Sequence, residues 1–232
     1  MKYAFTIPRY SNLSEDFLKQ ILPDYFDVAK DIENQNNLVV IVTSQQTDQD
    51  VLFEVQRELD RISFFIGHPI YPLKRYKERD DGLKENVFMM KTDLRLLGPV
   101  PDKLGRQVWD SSLSVQLCLW RLFRLEGISY QAKINLLYQI IEIANQKQLQ
   151  KYDDATVAPS PHMEAKLLRD LVSHGKFNRG IFPSVKTYCK FLGISEKAHD
   201  PTNFNEVNKI KGRISIVEKE AEKAIKDQIT YC

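Results

Sequence analysis

The stretch LLRDLVSHGKFNRG, residues 167–180, holds the one arrangement in this chain whose residue types and spacing suit a reaction: Arg169 and Asp170, then His174 and Gly175. A guanidinium is a permanent planar cation matched to phosphate oxygens, and an imidazole exchanges protons near neutrality. Five positions along an ideal helix turn the chain by about 500°, so the arginine and histidine side chains would point about 140° apart. They converge only where the helix ends, and Gly175, directly after the histidine, predicts such an end. A histidine in a last helical turn feels the negative end of the helix dipole, which favours its protonated form, while burial acts in the opposite sense. The alternative for the same residues is a surface arginine and a helix-capping histidine.

Other chemistries find less support. The histidines His68, His162, His174 and His199 form no HExxH, and the cysteines Cys118, Cys189 and Cys232 are too dispersed to join them around zinc, so neither metal nor cofactor is expected. No GxGxxG follows a strand, no phosphate-binding loop ends in GK[ST], and no GxSxG elbow is present. A second arginine-to-histidine spacing, Arg61 to His68 across ISFFIG, is set aside because apolar Ile62 follows the arginine and Gly67 falls inside the gap.

The elements that must position the pair can be read from periodicity. KYAFTI at 2–7 and LVVIVTS at 38–44 predict strands, and Ser14 is a plausible N-cap for a helix through SEDFLKQIL. Over 48–66, Val51, Leu52, Val55, Leu59, Ile62 and Phe65 recur at helical spacing before Gly67. PIYPLKRYK and NVFMMKTDLRLL flank ERDDG, whose Asp81-Gly82 pair signals a hairpin. Two glycines and two prolines in LGPVPDKLG, residues 97–105, mark a boundary.

Beyond that boundary the pattern is helical. A helix over 112–127 and a second one capped by Ser129, with the stripe Tyr130, Ile134, Leu137, Ile141 and Ala144, predict an antiparallel hairpin. Ser160 with Pro161 opens the helix that carries Arg169, and Gly193 closes a shorter one. Val207, Ile210, Ile214, Val217, Ala221 and Ala224 form the seam of a long last helix, facing either its own bundle or another copy. Trp109 and Trp120 are core or interface anchors.

Composition bounds the class. The 232 residues, 43% hydrophobic and 28% charged, suffice for a sizeable core, and 33 basic against 31 acidic residues leave a net charge of +2, so any nucleic-acid contact must come from a local patch. An odd cysteine count and the absence of a run near the roughly 20 apolar residues of a membrane span lead to the expectation of a soluble protein of the reducing cytoplasm, with no membrane partner.

The residues Arg169, Asp170, His174 and Gly175, at the end of a helix in a helical half-chain, resemble the motif of the HEPN domain, loosely over residues 111–230. The N-terminal half is similar, more distantly, to α+β regions that precede such domains in some bacterial proteins. The fold implied is α+β: a mixed module over 1–100, a candidate sensing or interaction region, then a HEPN-like helical bundle over 106–232. Active members of the family are metal-independent ribonucleases, often in toxin or antiviral defence systems, working as homodimers with both motifs lining one cleft; inactive members also exist. The resemblance thus implies RNA as substrate and a homodimer as assembly, with a regulatory protein or ligand as a further candidate partner. It assigns Arg169, His174 and Asp170 to catalysis, and Lys166, Lys176 and Arg179 to RNA binding. Self-cleavage of RNA needs a base for the 2′-hydroxyl proton, an acid for the leaving 5′-oxygen and positive charge at the phosphate, and a two-fold dimer would supply two histidines and two arginines. The competing expectation is a non-catalytic, HEPN-like dimeric binding or regulatory protein.

Overall fold

The computed structural model describes residues 1–8, 13–32, 34–66, 70, 72, 74–78, 84–89, 104–145, 149–173, 183–196 and 199–230. The chain is α+β and divides into two compact units, Met1–Asp110 with Ile229–Cys232, and Ser111–Gln228. The chain end joins the first unit through two hydrogen bonds: Gly105 N–H donates to the Thr230 carbonyl at 3.1 Å, and Thr230 N–H donates to the Gln107 side chain at 2.9 Å.

In the first unit β1 (Lys2–Pro8), β2 (Phe26–Lys30), β3 (Asn37–Thr43), β4 (Lys74–Glu78) and β5 (Lys84–Met89) form one antiparallel sheet in the order β2-β3-β1-β4-β5. Register explains its apolar face. Tyr3 lies opposite Val42, Phe5 opposite Val40 and Ile7 opposite Leu38, while Phe26 and Val28 of β2 face Val42 and Val40. Alternation puts all eight side chains on one face, and all eight are buried. The strand β2 is absent from the sequence-based expectation: five residues long, with Asp27 and Lys30 exposed, it offers only two apolar positions as a signal. β4 and β5 pair as the expected hairpin; Asp81-Gly82 lies outside the described residues.

The helices α1 (Glu15–Ile21) and α2 (Asp48–Ile66) add their own buried stripes to this core. Ser14 caps α1, its hydroxyl accepting from Phe17 N–H at 3.1 Å, and the Tyr3 hydroxyl donates to Asp48 at 2.7 Å, tying β1 to the start of α2. Val51, Val55, Leu59 and Ile62 are buried as their spacing predicts, but Leu52 is exposed. Three charged residues, Glu58, Asp60 and Arg61, take buried positions. Arg61, fully buried, donates to the Glu58 carboxylate at 2.9 Å, to the Ile21 carbonyl at 3.0 Å and to the Gly105 carbonyl at 2.5 Å. The second Glu58 oxygen accepts from the Trp109 indole at 2.6 Å, and the Arg57 guanidinium stacks on the same indole at 5.0 Å. Burial drives the Glu58 carboxyl up and the Arg61 guanidinium down in pKa, each opposed by the other's charge.

The regular elements of the second unit, among its described residues, are all helices: α3 (Ser111–Phe123), α4 (Tyr130–Ala144), α5 (Pro161–Ser173), α6 (Pro183–Leu192) and α7 (Phe204–Lys226). Local chemistry sets the ends. Ser129, Ser160 and Asn203 accept at 3.2–3.3 Å from the N–H groups of Ala132, Met163 and Glu206, satisfying donors the helix leaves unpaired. Gly193, at φ +61°, ends α6 with the Ile194 N–H bonded back to the Cys189 carbonyl at 3.0 Å. α3 and α4 pack antiparallel, with the Gln116 side chain donating to the Ile140 carbonyl at 2.9 Å. α7 packs against α4, α5 and α3, so Val207, Ile210, Val217, Ala221 and Ala224 are buried inside their own chain, while Ile214 is half-buried.

The Arg61–Glu58 pair yields a stability prediction. Arg61→Met leaves Glu58 buried without its cation and lowers the unfolding free energy by about 3–5 kcal/mol, and adding Glu58→Gln recovers part of the loss. Urea titrations followed by circular dichroism on the two variants check both changes; equal stability of wild type and Arg61→Met would remove the pair's structural role.

Candidate functional site

The site is built on α5, and a buried carboxylate sets the rotation of that helix. Glu164, 1% exposed, accepts the Tyr188 hydroxyl of α6 at 2.6 Å and two donors of Arg213 on α7, Nε at 2.6 Å and Nη2 at 3.1 Å. Burial among these partners pushes the Tyr188 phenol far above its ordinary pKa. With Glu164 facing the core, positions 162, 166, 169 and 173 fall about 140–200° around the helix from it, on the outward side. His162, Lys166, Arg169 and Ser173 are accordingly half-buried or exposed. Their i, i+4, i+7, i+11 spacing is a polar stripe.

Arg169 is the best-fixed member. Its guanidinium lies 4.5 Å from the centre of the Tyr138 ring on α4, and its Nε is 3.2 Å from Asp170 Oδ1, close enough for charge attraction but not aligned as a hydrogen bond. The Tyr138 hydroxyl donates to Glu142 at 2.5 Å. Its phenol is raised in pKa by burial and by that bond, and Arg169 acts in the opposite direction. One turn on, the Ser173 hydroxyl donates to Asn135 at 2.9 Å, so α4 and α5 are joined along this edge by two side-chain contacts. Among the described residues Asp170 is the only carboxylate within ion-pair distance of Arg169.

A groove of about 540 Å³ runs beside α5 and brings together Lys166, Arg169 and Asp170, with Lys151, Ser184 and Val185 on its opposite side. Three of the six expected site residues therefore share one concave surface. His174, Lys176 and Arg179 lie outside the described residues, as does the expected helix end at Gly175; α5 is described to Ser173.

Two further groups belong to the picture that motif reading left out. Tyr138 sits on α4 beside its apolar stripe; an aromatic at that position gives no hint that an arginine will stack on it. His162 lines a second hollow adjoining the groove, and burial lowers its pKa against the pull of Glu220 and Glu142. The remaining described histidine, His199, is elsewhere, its Nε2 2.6 Å from the Tyr130 hydroxyl and its Nδ1 3.8 Å from Glu206. Cys189 is buried, and its thiol is pushed up to about 11 by desolvation, which suits a packing role. Among the described residues no group of three or more His, Cys, Asp or Glu is placed to hold a metal ion, and no helix is long and apolar enough to cross a membrane.

Comparison with known proteins adds no relative: no family model, no curated protein and no solved structure matches the chain.

The lowered pKa of His162 has a signed consequence. The unfolded chain takes up this proton near the ordinary value of 6.5 and the folded chain only at lower pH, so acid favours unfolding and stability rises as pH climbs through that window. Urea titrations at pH 5 and pH 7.5 are expected to show a smaller acid loss for His162→Gln than for wild type; identical pH dependence would contradict the assignment.

Proposed function

We propose that the chain is a metal-independent RNA endonuclease of the HEPN type, working as a homodimer. The observation that supports this reading is the convergence of Lys166, Arg169 and Asp170 on one groove, with Arg169 held over Tyr138. Stacking occupies a face of the guanidinium, Nε is buried beside Asp170, and the Nη edge is left for phosphate oxygens. In the proposed reaction His174 accepts the proton of the 2′-hydroxyl, the 2′-oxygen attacks phosphorus, and the bond from phosphorus to the 5′-oxygen breaks. The leaving 5′-oxygen takes a proton from the His174 of the second copy, and the products are a cyclic phosphate and a 5′-hydroxyl. Arg169 stabilises the negative charge of the five-coordinate phosphate, Asp170 restrains Arg169 through its Nε, and Lys166 binds the strand together with Lys176 and Arg179. A role in a bacterial defence or toxin system, in the cytoplasm, belongs to the same reading.

A second reading rests on the same stacking. An arginine already engaged by Tyr138 and Asp170 is also what a structural clamp requires, in a non-catalytic dimeric binding or regulatory protein. That protein would dimerise without cleaving RNA and without slowing growth of a host that expresses it.

Cleavage of total RNA in the presence of chelator separates the two. Arg169→Ala and His174→Ala are each expected to slow cleavage by about 10²-fold or more. Equal activity in variant and wild type, or strict dependence on added metal, would remove the mechanism.

A further inference from the structure

The groove beside Arg169 does not end at Lys166. It shares Leu149, Gln150, Lys151 and Met163 with a second hollow, also about 540 Å³, which runs between the 149–160 segment and the first turn of α5. The two halves differ in chemistry. The first presents Lys166 and Arg169 beside Asp170; the second has apolar walls from Leu149, Val157, Pro159 and Met163, with Asp153, Asp154 and His162 at its edges, and Lys151 lines both. Cations at one end and apolar walls edged by acceptors at the other match the make-up of a single nucleotide, an anion joined to a flat base that carries donors on its edge.

The outer wall is fixed rather than adaptable. The Tyr152 hydroxyl donates to the Val157 carbonyl at 2.6 Å, and the Tyr152 N–H donates to Ser184 Oγ at 3.1 Å. Asp154 accepts both the N–H and the hydroxyl of Thr156, at 2.8 and 2.7 Å, bonds that hold its carboxyl below the usual carboxylate range. These bonds hold Val157 at the rim with 58% of its surface exposed, an apolar side chain kept in water beside a hollow. Met163 lies about 9 Å along α5 from Arg169, at six residues of rise.

We propose that this second hollow is a base subsite: it seats one nucleobase of an RNA strand whose adjoining phosphate rests on Lys166 and Arg169. The choice of RNA rests on the function proposed above. The two carboxylates outnumber the shared Lys151 in this hollow, so the strand's phosphate is favoured at the Lys166 end and a base in the subsite. They also give it a preference. Adenine and cytosine offer an exocyclic amino group where uracil offers a carbonyl oxygen, so the acceptor oxygens of Asp153 and Asp154 favour the first two. Burial lowers the pKa of His162, which favours its neutral, hydrogen-bonding form over a further cation.

The test uses the full chain and 2′-deoxy dinucleotides, which have no nucleophilic hydroxyl and so report binding alone, by competition in fluorescence anisotropy. Ligands with adenine or cytosine are expected to bind about tenfold more tightly than the abasic ligand, with uracil between them. Val157→Trp fills the hollow and should abolish the gap between base-bearing and abasic ligands, and Asp153→Asn should shrink the gap between cytosine and uracil. Equal binding of abasic and base-bearing ligands, no binding by any, or a gap that survives Val157→Trp overturns the subsite. RNA cleavage by wild type is measured in parallel. Its absence counts against the endonuclease while leaving the binding result to decide the subsite, and cleavage with no base-dependent binding counts against the subsite alone.

Discussion

The position of everything on α5 follows from one buried carboxylate. A glutamate in a helical core is costly unless both oxygens are occupied, and Glu164 meets that condition only when Tyr188 of α6 and the Arg213 fork of α7 are in place. Apolar packing alone would tolerate some rotation of α5 about its axis. A carboxylate bound by a fork does not, because turning the helix by one residue would separate it from its donors in a place water does not reach. Since Glu164 is held inward, His162, Lys166, Arg169 and Ser173 are held outward, and the groove acquires its charges as a consequence.

The first unit uses the same device for a different end. Arg61 is spaced from His68 much as Arg169 is from His174, yet its donors go to Glu58, to the carbonyl that closes α1 and to the carbonyl of Gly105. Its cation is consumed by architecture. Arg169 has no backbone carbonyl among its partners in the described residues; it rests on an aromatic face with one carboxylate near Nε. The contrast gives a physical criterion for a functional arginine. A guanidinium whose Nη groups are both engaged by buried carbonyls and a carboxylate has little left for a ligand, whereas one held by its face, with only Nε buried beside a carboxylate, keeps its Nη edge available.

Much of the frame was legible in the sequence because the interactions that set it are local. Ser14, Ser129 and Ser160 cap helices through bonds to residues three positions on, and Gly193 ends one through its left-handed backbone. What escaped depends on distant partners. Nothing local marks Glu58, Arg61 and Glu164 as buried, because their partners Trp109, Gly105, Tyr188 and Arg213 are brought to them from 24 to 51 positions away. β2 escaped for a related reason, since its two buried side chains acquire meaning only from their register with Val40 and Val42. At the site, Arg169, Asp170 and Lys166 were found by motif and charge. The stripe His162, Lys166, Arg169, Ser173 was also available at helical spacing, but a histidine there was weighed only as a metal ligand. Tyr138 could not have been found without the packing of α4 on α5.

The histidines bear on how many chains the proposed reaction needs. Acid and base must both reach the same phosphate, so one histidine serves both steps only if it changes places between them, and otherwise a second proton-transfer group, in the proposed reaction an imidazole, must join it. His162 does not qualify: seven residues of helix separate it from Arg169, about 10 Å along the axis, and its ring faces the neighbouring hollow. His199 does not qualify either, because its Nε2 is bound to Tyr130 at the start of α4, while Arg169 stacks on Tyr138 two turns further along. Neither described histidine can therefore serve a phosphate resting on Arg169 beside His174. Under the proposed reaction the second imidazole is the His174 of another copy, which is the physical reason that the proposal includes a dimer.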